Sequence, residues 1–428
     1  MRILFVAETG SIHTARWINQ LENTGWDIHV FQATVPSYVD RNAPRYSVCE
    51  ELRCGELHLP HPHDPLTRTS RKLARKARSF LGTMSSKCAP DALGWSEKAQ
   101  SRRGESLRNL IQALRPTVIH SLGLNVNWRN LCLPVIQARL TSVMASTTPW
   151  IYSSWGTDLS YYAAQSPEHH AAVESVLRTC NYYIAECKRD ARLAEELGFR
   201  GEFAGFFPAF GGVRSTELSP LRQQGASSSR KTILLKGRDN SDVGGIYRAM
   251  TAMKAFRLCG DVLRDYQICI ALASPAVAAA AAALSSQMDL RVRVLPQVPY
   301  VDVLRIMGAS RLFLSLTAND GLPGMLVEAM SLGSLPIHSD LESIREWVKN
   351  GETALLVPYD DPTAVAAALE RAVTDDALVD WAAELNARLI QEQLSDAVVR
   401  PRVIGMYEHV AEAGPITRNA ACGSHDCV

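Results

Sequence analysis

The sequence predicts an α/β protein of two doubly wound domains in series that face a cleft. Apolar runs of strand length alternate with amphipathic segments of helix length along most of the chain, the pattern of repeated β-α-β units. The alternation breaks once, at the polar, serine-rich stretch STELSPLRQQGASSSRK (215–231), and then begins again. In addition, 428 residues exceed one ordinary core, because a domain takes roughly 150. The expected organisation is an N-terminal domain over 1–217, a linker over 218–230 and a C-terminal domain over 231–394. A helix over 395–413 then returns to the first domain, and a flexible tail covers 414–428.

ILFVA (3–7) is a continuous apolar run, as a parallel strand buried on both faces requires. The loop ETGSIH follows. Helical spacing then places Trp17, Ile18 and Leu21 on one side, and Gly25 supplies a stop. DIHVFQ (27–32) is the second strand. LRNLIQALRP (107–116) reads as a helix ended by Pro116, since proline removes a donor and disfavours helix in the residue before it. TVIHSLG (117–123), WIYSSWGTDL (150–159) and YYIAEC (182–187) read as strands, and ARLAEELGF (191–199) as a helix.

In the second half, TILLKG, YQICIAL (266–272), VRVLPQV (292–298), RLFLSL (311–316), SLPIHS (334–339) and ALLVP (354–358) read as strands. VDVLRIMGAS (301–310) and GMLVEAMSL (324–332) read as helices. DDPTAVAAALERAV (360–373) starts a helix with Asp361 as N-cap and Pro362 at the first helical position.

Composition narrows the function classes. With 46% hydrophobic and 21% charged residues the chain is ordinary globular protein. No apolar run approaches the ~20 residues that span a bilayer, and MRILFVAETG reads as a first strand instead of a signal peptide. Ten scattered cysteines form no C-x-x-C pair, so reduced thiols and a cytoplasmic location are expected. Cys422, His425 and Cys427 lie in a polar tail with no fourth ligand. Charge is asymmetric: residues 1–230 hold 27 Lys/Arg against 20 Asp/Glu (+7), and residues 231–428 hold 18 against 24 (−6). Seven basic residues and no acid fall in 68–87, interleaved with Leu73, Ala77, Phe80 and Leu81. This basic amphipathic helix is either a solvated surface element or a peripheral contact with an anionic membrane on its inner face. No aromatic-basic groove accompanies it, so nucleic acid is not an expected partner.

ANDGLPGMLVEAMSLG (318–333) carries the densest chemistry. It follows the strand RLFLSL, and ligands of open α/β sheets bind beyond the carboxyl ends of strands. Pro323 suits the first turn of the next helix, whose N-terminus presents free N–H groups and a positive dipole end. Gly321 and Gly324 let the backbone approach a ligand closely. Asp320 and Glu328 can both line this mouth, because helical side chains lean toward the N-terminus. Paired carboxylates suit vicinal diols, hence ribose and hexose instead of a metal. The competing reading is an N-cap plus a solvent-facing Glu.

At these residues the chain resembles glycosyltransferase family 4, whose members have the GT-B fold of two Rossmann-like domains, take nucleotide-sugar donors and retain anomeric configuration. The resemblance rests on the Asp320…Glu328 spacing, LVEAMSLGSLPIHSD, VKNGETALLVPYDDPTAVAAALERAV, SIHTARW, VIHSLG, SSWGTDL and LLKG, in order over about 10–370. The family has Glu at its first acidic position, where this chain has the shorter Asp320. The resemblance implies that Glu328 holds the donor ribose, that Asp320 contacts donor-sugar hydroxyls, and that Gly321 and Leu322 backbone groups orient the sugar. Lys236 is implied to neutralise the leaving diphosphate. Arg238 lies two residues on, on the same side of a strand, and Arg248 is a further cation. Gly10 resembles the glycine-bearing loop near the phosphates, and His120 the histidine near the donor sugar. His13 and Asp158 resemble acceptor-side groups; for Asp158 a helix N-cap is the equal alternative.

The resemblance implies an N-terminal acceptor side and a C-terminal donor side. The implied activity is transfer of a hexose from a UDP- or GDP-sugar to a glycan, lipid-linked or small-molecule acceptor, as in polysaccharide biosynthesis. No metal or cofactor is expected, because a cation pair assists departure of the diphosphate. Two alternatives stand beside it: a non-catalytic GT-B-like binding protein, which the Asp320 substitution suggests, and a sugar-nucleotide epimerase, which would show a different set of acids and histidines.

Overall fold

A computed structural model describes residues 1–7, 11–32, 57–58, 97–123, 148–165, 167–243 and 245–416. Gly10 and the basic stretch 68–87 lie outside the described residues. The chain divides into two compact units. One comprises Met1–Ile184, Leu193–Gly205 and Ile404–Val428, and the other Ala185–Arg192 and Phe206–Val403.

Each unit is built on a parallel sheet. In the first, the strands are β1 (Arg2–Ala7), β2 (Asp27–Gln32), β3 (Leu57–His58), β4 (Val118–Leu122), β5 (Trp150–Ser153), β6 (Tyr182–Ala185) and β7 (Glu202–Phe206). Their order is β3-β2-β1-β4-β5-β6-β7. In the second they are β8 (Thr232–Lys236), β9 (Gln267–Ala271), β10 (Arg291–Val294), β11 (Leu312–Ser315), β12 (Leu335–Ser339) and β13 (Leu355–Val357), ordered β10-β9-β8-β11-β12-β13. Both sheets therefore start in the middle, wind outward one way, and then reverse. The reversal falls between β1 and β4 in one sheet and between β8 and β11 in the other, the place where doubly wound folds bind ligands.

The second sheet shows why an apolar run makes a central strand. Ile233 and Leu235 of β8 enter one core with Phe256, Leu314 and Ile337, while Leu234 enters the core on the opposite face with Phe313, Leu326 and Met330. Alternate residues point to opposite faces, so both must be apolar when helices cover both sides. Helices Ala249–Leu258 and Pro362–Thr374 contribute to the first of these cores, and Gly324–Ser331 to the second. Asp361 caps its helix as expected, its Oδ1 accepting from the N–H groups of Thr363 (2.9 Å) and Ala364 (3.1 Å).

The second unit starts its sheet only at Thr232, yet the serine-rich stretch 218–230 already packs within that unit. The buried guanidinium of Arg230 donates to the carbonyls of Ser310 (3.2 Å) and Leu332 (3.1 Å), and Ser228 Oγ donates to Asp380 at 2.6 Å. The polar composition here serves hydrogen bonds to distant residues, which a local reading takes for solvation. Helix Asp396–Ala413 lies in the second unit through Val403 and in the first from Ile404 onward.

Candidate active site

β8 ends at Lys236, and Gly237 follows where no side chain fits. A Cβ there would lie 2.5 Å from Ile270 Cγ2 and 3.0 Å from Ala273 Cα. Residues 238–248 then fold back to the end of β11. The N–H of Arg248 donates to the Leu316 carbonyl (3.0 Å), and that of Ala318 to the Ile246 carbonyl (2.7 Å). These bonds set the cations of the β8 loop beside the acidic loop 318–321, although the two are far apart in the chain.

Both cations lie over the ring of Tyr247. Lys236 Nζ lies 4.9 Å from the centre of its ring, and the Arg238 guanidinium 5.4 Å, with Arg238 Nη1 3.5 Å from the hydroxyl. Burial alone would raise the phenol, but the Lys236 and Arg238 charges outweigh it and hold Tyr247 below its ordinary value. Such a response marks a concentration of positive charge at the mouth of the strands. Asp320 is partly buried beside it. Burial raises its carboxyl above the usual range, opposed by Lys236, by the Gly321 N–H that donates to Oδ1 (3.0 Å), and by Arg189. His338, buried at the end of β12, is pushed down to about 4 by burial, with the Lys236 charge adding to the effect.

Glu328 is buried in the helix Gly324–Ser331, where its carboxylate accepts the Tyr300 hydroxyl. It is not solvent-facing. Asp320 is not the N-cap of that helix either. The N-cap is Pro323, extended at φ −68° and ψ 124°, and no side chain caps the first turn. Pro323 thus immediately precedes the helix, which opens on Gly324 as the sequence reading has it. Leu322 is buried in the core beneath, and its backbone with that of Gly321 forms the turn.

The N-terminal candidates fall differently. His120 lies within β4 between Phe5 and Ile151, not at a strand end, and it is 0% exposed. Its Nδ1 is 2.5 Å from Tyr407 Oη and its Nε2 2.7 Å from Ser153 Oγ. Tyr407 Oη also accepts Trp17 Nε1–H at 2.8 Å. Because indole only donates, the Tyr407 proton goes to Nδ1, and the imidazole carries its own hydrogen on Nε2 toward Ser153. Burial pushes His120 down to about 3, so it is neutral. His120 is thus buried, with a hydrogen-bond partner at each nitrogen. Asp158 is equally buried, accepting from Trp155 N–H (3.1 Å) and Tyr152 Oη (3.2 Å) at the start of the turn Asp158–Tyr162. Its carboxylate binds back to the preceding Trp155, and Thr157, not Asp158, is the N-cap there. His13, partly buried in the helix Ile12–Asn19, tilts against Trp155 at 5.6 Å between ring centres.

The structure therefore brings Lys236 and Arg238 together at Tyr247 and sets Asp320, with Gly321 and Leu322 beside it, in the field of Lys236, while Glu328 meets Tyr300 in the same unit. It leaves His120 and Asp158 in the core of the first. Arg248 flanks the group, its guanidinium 5.7 Å from the Tyr359 ring. Tyr247, Arg189 and His338 lie within reach of the Lys236 or Asp320 charge without having been singled out in the sequence, and Tyr300 meets Glu328. Tyr247 and Tyr300 carry no local motif, and only the folding-back of each segment reveals them.

The second unit is thus a doubly wound domain with cations and an acidic loop at its switch point. Residues 230–375 match the family described as glycosyl transferases group 1, and residues 2–53 match glycosyl transferase 4-like. The first of these matches takes in Lys236, Arg238, Asp320 and Glu328. The chain is 36% identical over 91 residues to a phosphatidyl-myo-inositol mannosyltransferase of Mycolicibacterium smegmatis, covering 21% of this chain and 23% of that one. A Mycobacterium tuberculosis (H37Rv) protein of the same name is 34% identical over 103 residues, 23% of this chain and 27% of that one. The chain thus spans about a quarter of the length of these curated relatives. Among solved structures it resembles sucrose-phosphate synthase from Thermosynechococcus elongatus (TM-score 0.67, 14% identity, 96% of this chain and 100% of that one). It also resembles Anabaena HepE in complex with UDP-glucose (TM-score 0.61, 13% identity, 96% and 100%). These likenesses establish the fold, which is GT-B.

Proposed function

We propose that the chain is a retaining glycosyltransferase that moves a hexose from a UDP- or GDP-sugar to a glycan, lipid-linked or small-molecule acceptor. The observation that carries the reading is the placement of Lys236 and Asp320 at the switch point between β8 and β11, with Tyr247 inside the paired fields of Lys236 and Arg238. Cations there suit a diphosphate, whose accumulating charge on departure is what the chemistry must stabilise. In this reading Lys236 and Arg238 take the diphosphate, Glu328 the ribose diol and Asp320 the sugar hydroxyls. The uncapped helix Gly324–Ser331 directs its positive end at the same place. The names of the relatives and the UDP-glucose complex favour mannosyl and glucosyl donors for the first trials.

The Asp in place of the family's Glu favours one other reading, a GT-B-like chain that binds nucleotide sugars without turning them over. A screen of UDP- and GDP-hexoses for release of nucleoside diphosphate separates the two, and binding is followed in parallel by thermal shift. Lys236→Ala and Glu328→Ala are expected to abolish both signals. Turnover is expected to persist in EDTA, since Lys236 and Arg238 supply the positive charge. Binding without diphosphate release would favour the second reading, and absence of binding to any nucleotide sugar would overturn both.

Among the described residues no helix is long and apolar enough to cross a membrane. Cytoplasmic placement and peripheral contact through 68–87 remain part of the proposal, and co-sedimentation with anionic vesicles tests the latter.

A further inference from the structure

Arg189 is a buried guanidinium without a role in the reading above. It lies in the helix Lys188–Glu196, within the segment Ala185–Arg192 of the second unit, and is 8% exposed. One edge is held by Asp190, whose Oδ1 accepts from Nε and Nη2 at 2.9 Å each. The other edge reaches the acidic loop. Nη1 donates to Asn319 Oδ1 at 2.9 Å and approaches Ser343 Oγ at 3.5 Å. Ser343 Oγ in turn donates to the backbone carbonyl of Asp320 at 2.7 Å. The loop is also closed on itself, Thr317 Oγ1 donating to the Asn319 carbonyl at 2.8 Å.

We propose that Arg189 is a positioning residue for Asp320, fixing the 318–321 turn through Asn319 and Ser343 and placing a permanent positive charge beside the carboxylate. The assignment deepens the donor-site reading and takes its functional meaning from it. A partly buried carboxylate loses solvation, so its charged form depends on the cations around it. Lys236 from β8 and Arg189 from the helix Lys188–Glu196 are those cations, Tyr247 faces the same carboxylate from the 238–248 loop, and His338 on β12 adjoins Lys236. When a nucleotide sugar binds, its diphosphate draws on Lys236. Arg189 does not share that duty, because Asp190 and Asn319 hold it, so it keeps Asp320 ionised and aimed while Lys236 is engaged. An Asp one methylene shorter than Glu depends more on the position of its backbone, and that is what the Ser343 bond sets.

The test reads the carboxyl itself. In protein carrying 13C-labelled aspartate, the Asp320 signal is assigned by its loss in Asp320→Asn and titrated in the full chain without ligand. Arg189→Gln is expected to raise the Asp320 midpoint by about one pH unit, as loss of a close opposite charge requires, and Arg189→Lys to return it toward the parent value. With a donor identified, Arg189→Gln is expected to weaken the sugar nucleotide roughly tenfold while the affinity for the bare nucleoside diphosphate is retained, and to move the acid limb of turnover to higher pH. If Arg189→Gln does not fold because it strands Asp190, Arg189→Gln/Asp190→Asn supplies the same measurement with the same direction. An unmoved Asp320 midpoint in either folded variant overturns the assignment, whatever the donor screen shows. A moved midpoint with no nucleotide sugar bound by the parent protein sinks the functional reading and leaves Arg189 as the determinant of Asp320.

Discussion

Replacing Tyr407 by Phe tests whether His120 is a structural group. The Tyr407 hydroxyl accepts Trp17 Nε1–H at 2.8 Å and donates to His120 Nδ1 at 2.5 Å, and all three side chains are at most 1% exposed. Tyr407→Phe keeps the ring packing, including the edge contact with Phe5 at 6.3 Å, and removes only the oxygen. Trp17 then loses this acceptor and His120 this donor, each inside the core. A buried polar group that loses its partner costs about 1–3 kcal/mol, so the His120 nitrogen alone sets the expected loss at roughly 1–3 kcal/mol. That is a large share of the ~5–15 kcal/mol that holds an ordinary domain. Urea denaturation of the parent and variant, followed by tryptophan fluorescence and by circular dichroism, measures the difference as a lower midpoint at unchanged slope. A loss below about 0.5 kcal/mol would falsify the hydrogen-bonded account of His120. A variant that is stable but has lost turnover would return His120 to the chemistry.

Four further outcomes are expected. His120 at about 3 and His338 at about 4 are depressed from 6.5, so the unfolded chain binds protons that the native one does not. Stability is therefore full above about pH 6.5 and falls as pH drops below it, by about 1.4 kcal/mol per pH unit for each until its native value is reached; urea midpoints equal at pH 7.5 and pH 5 would contradict this. Lys236→Ala is expected to weaken nucleoside diphosphate at least tenfold by calorimetry, with the loss shrinking in high salt, whereas a salt-independent loss would point to misfolding. Tyr300→Phe frees Glu328 from its hydroxyl partner and is expected to raise KM several-fold with kcat nearly unchanged, and the reverse split would refute a ribose role. Asp361→Ala removes a cap and is expected to cost about 1 kcal/mol of second-unit stability, read as a lower melting temperature.

Much of the fold was legible. β8, β9, β11, β12 and β13 fall within the apolar runs, because a strand covered on both faces needs apolar residues at both parities. Where an element is half local, its bounds slip. Only Trp150–Ser153 of WIYSSWGTDL is strand, since Asp158 turns its carboxylate back onto Trp155 and starts a turn. The helix read over 107–116 begins at Glu97, in a stretch too polar to show an apolar face. The positions of Lys236 at the end of β8 and of Asp320 in the loop after β11 were legible from the apolar runs that precede them. The partner of His120 was not legible, because Tyr407 is brought to it from 287 residues along the chain.

By itself the sequence determined the kinds and order of many elements, the Asp361 cap, the loop that bears Asp320 and the helix that bears Glu328. These depend on side-chain period and on backbone preferences within a few residues. Only the tertiary structure decided that β8 lies beside β11, that Lys236 and Arg238 both lie over the ring of Tyr247, that Tyr300 meets Glu328, and that Arg189 reaches Asn319. Those pairings come from burying the faces of two sheets. The burial is a property of the whole chain, and each short segment is compatible with many partners until the core selects one.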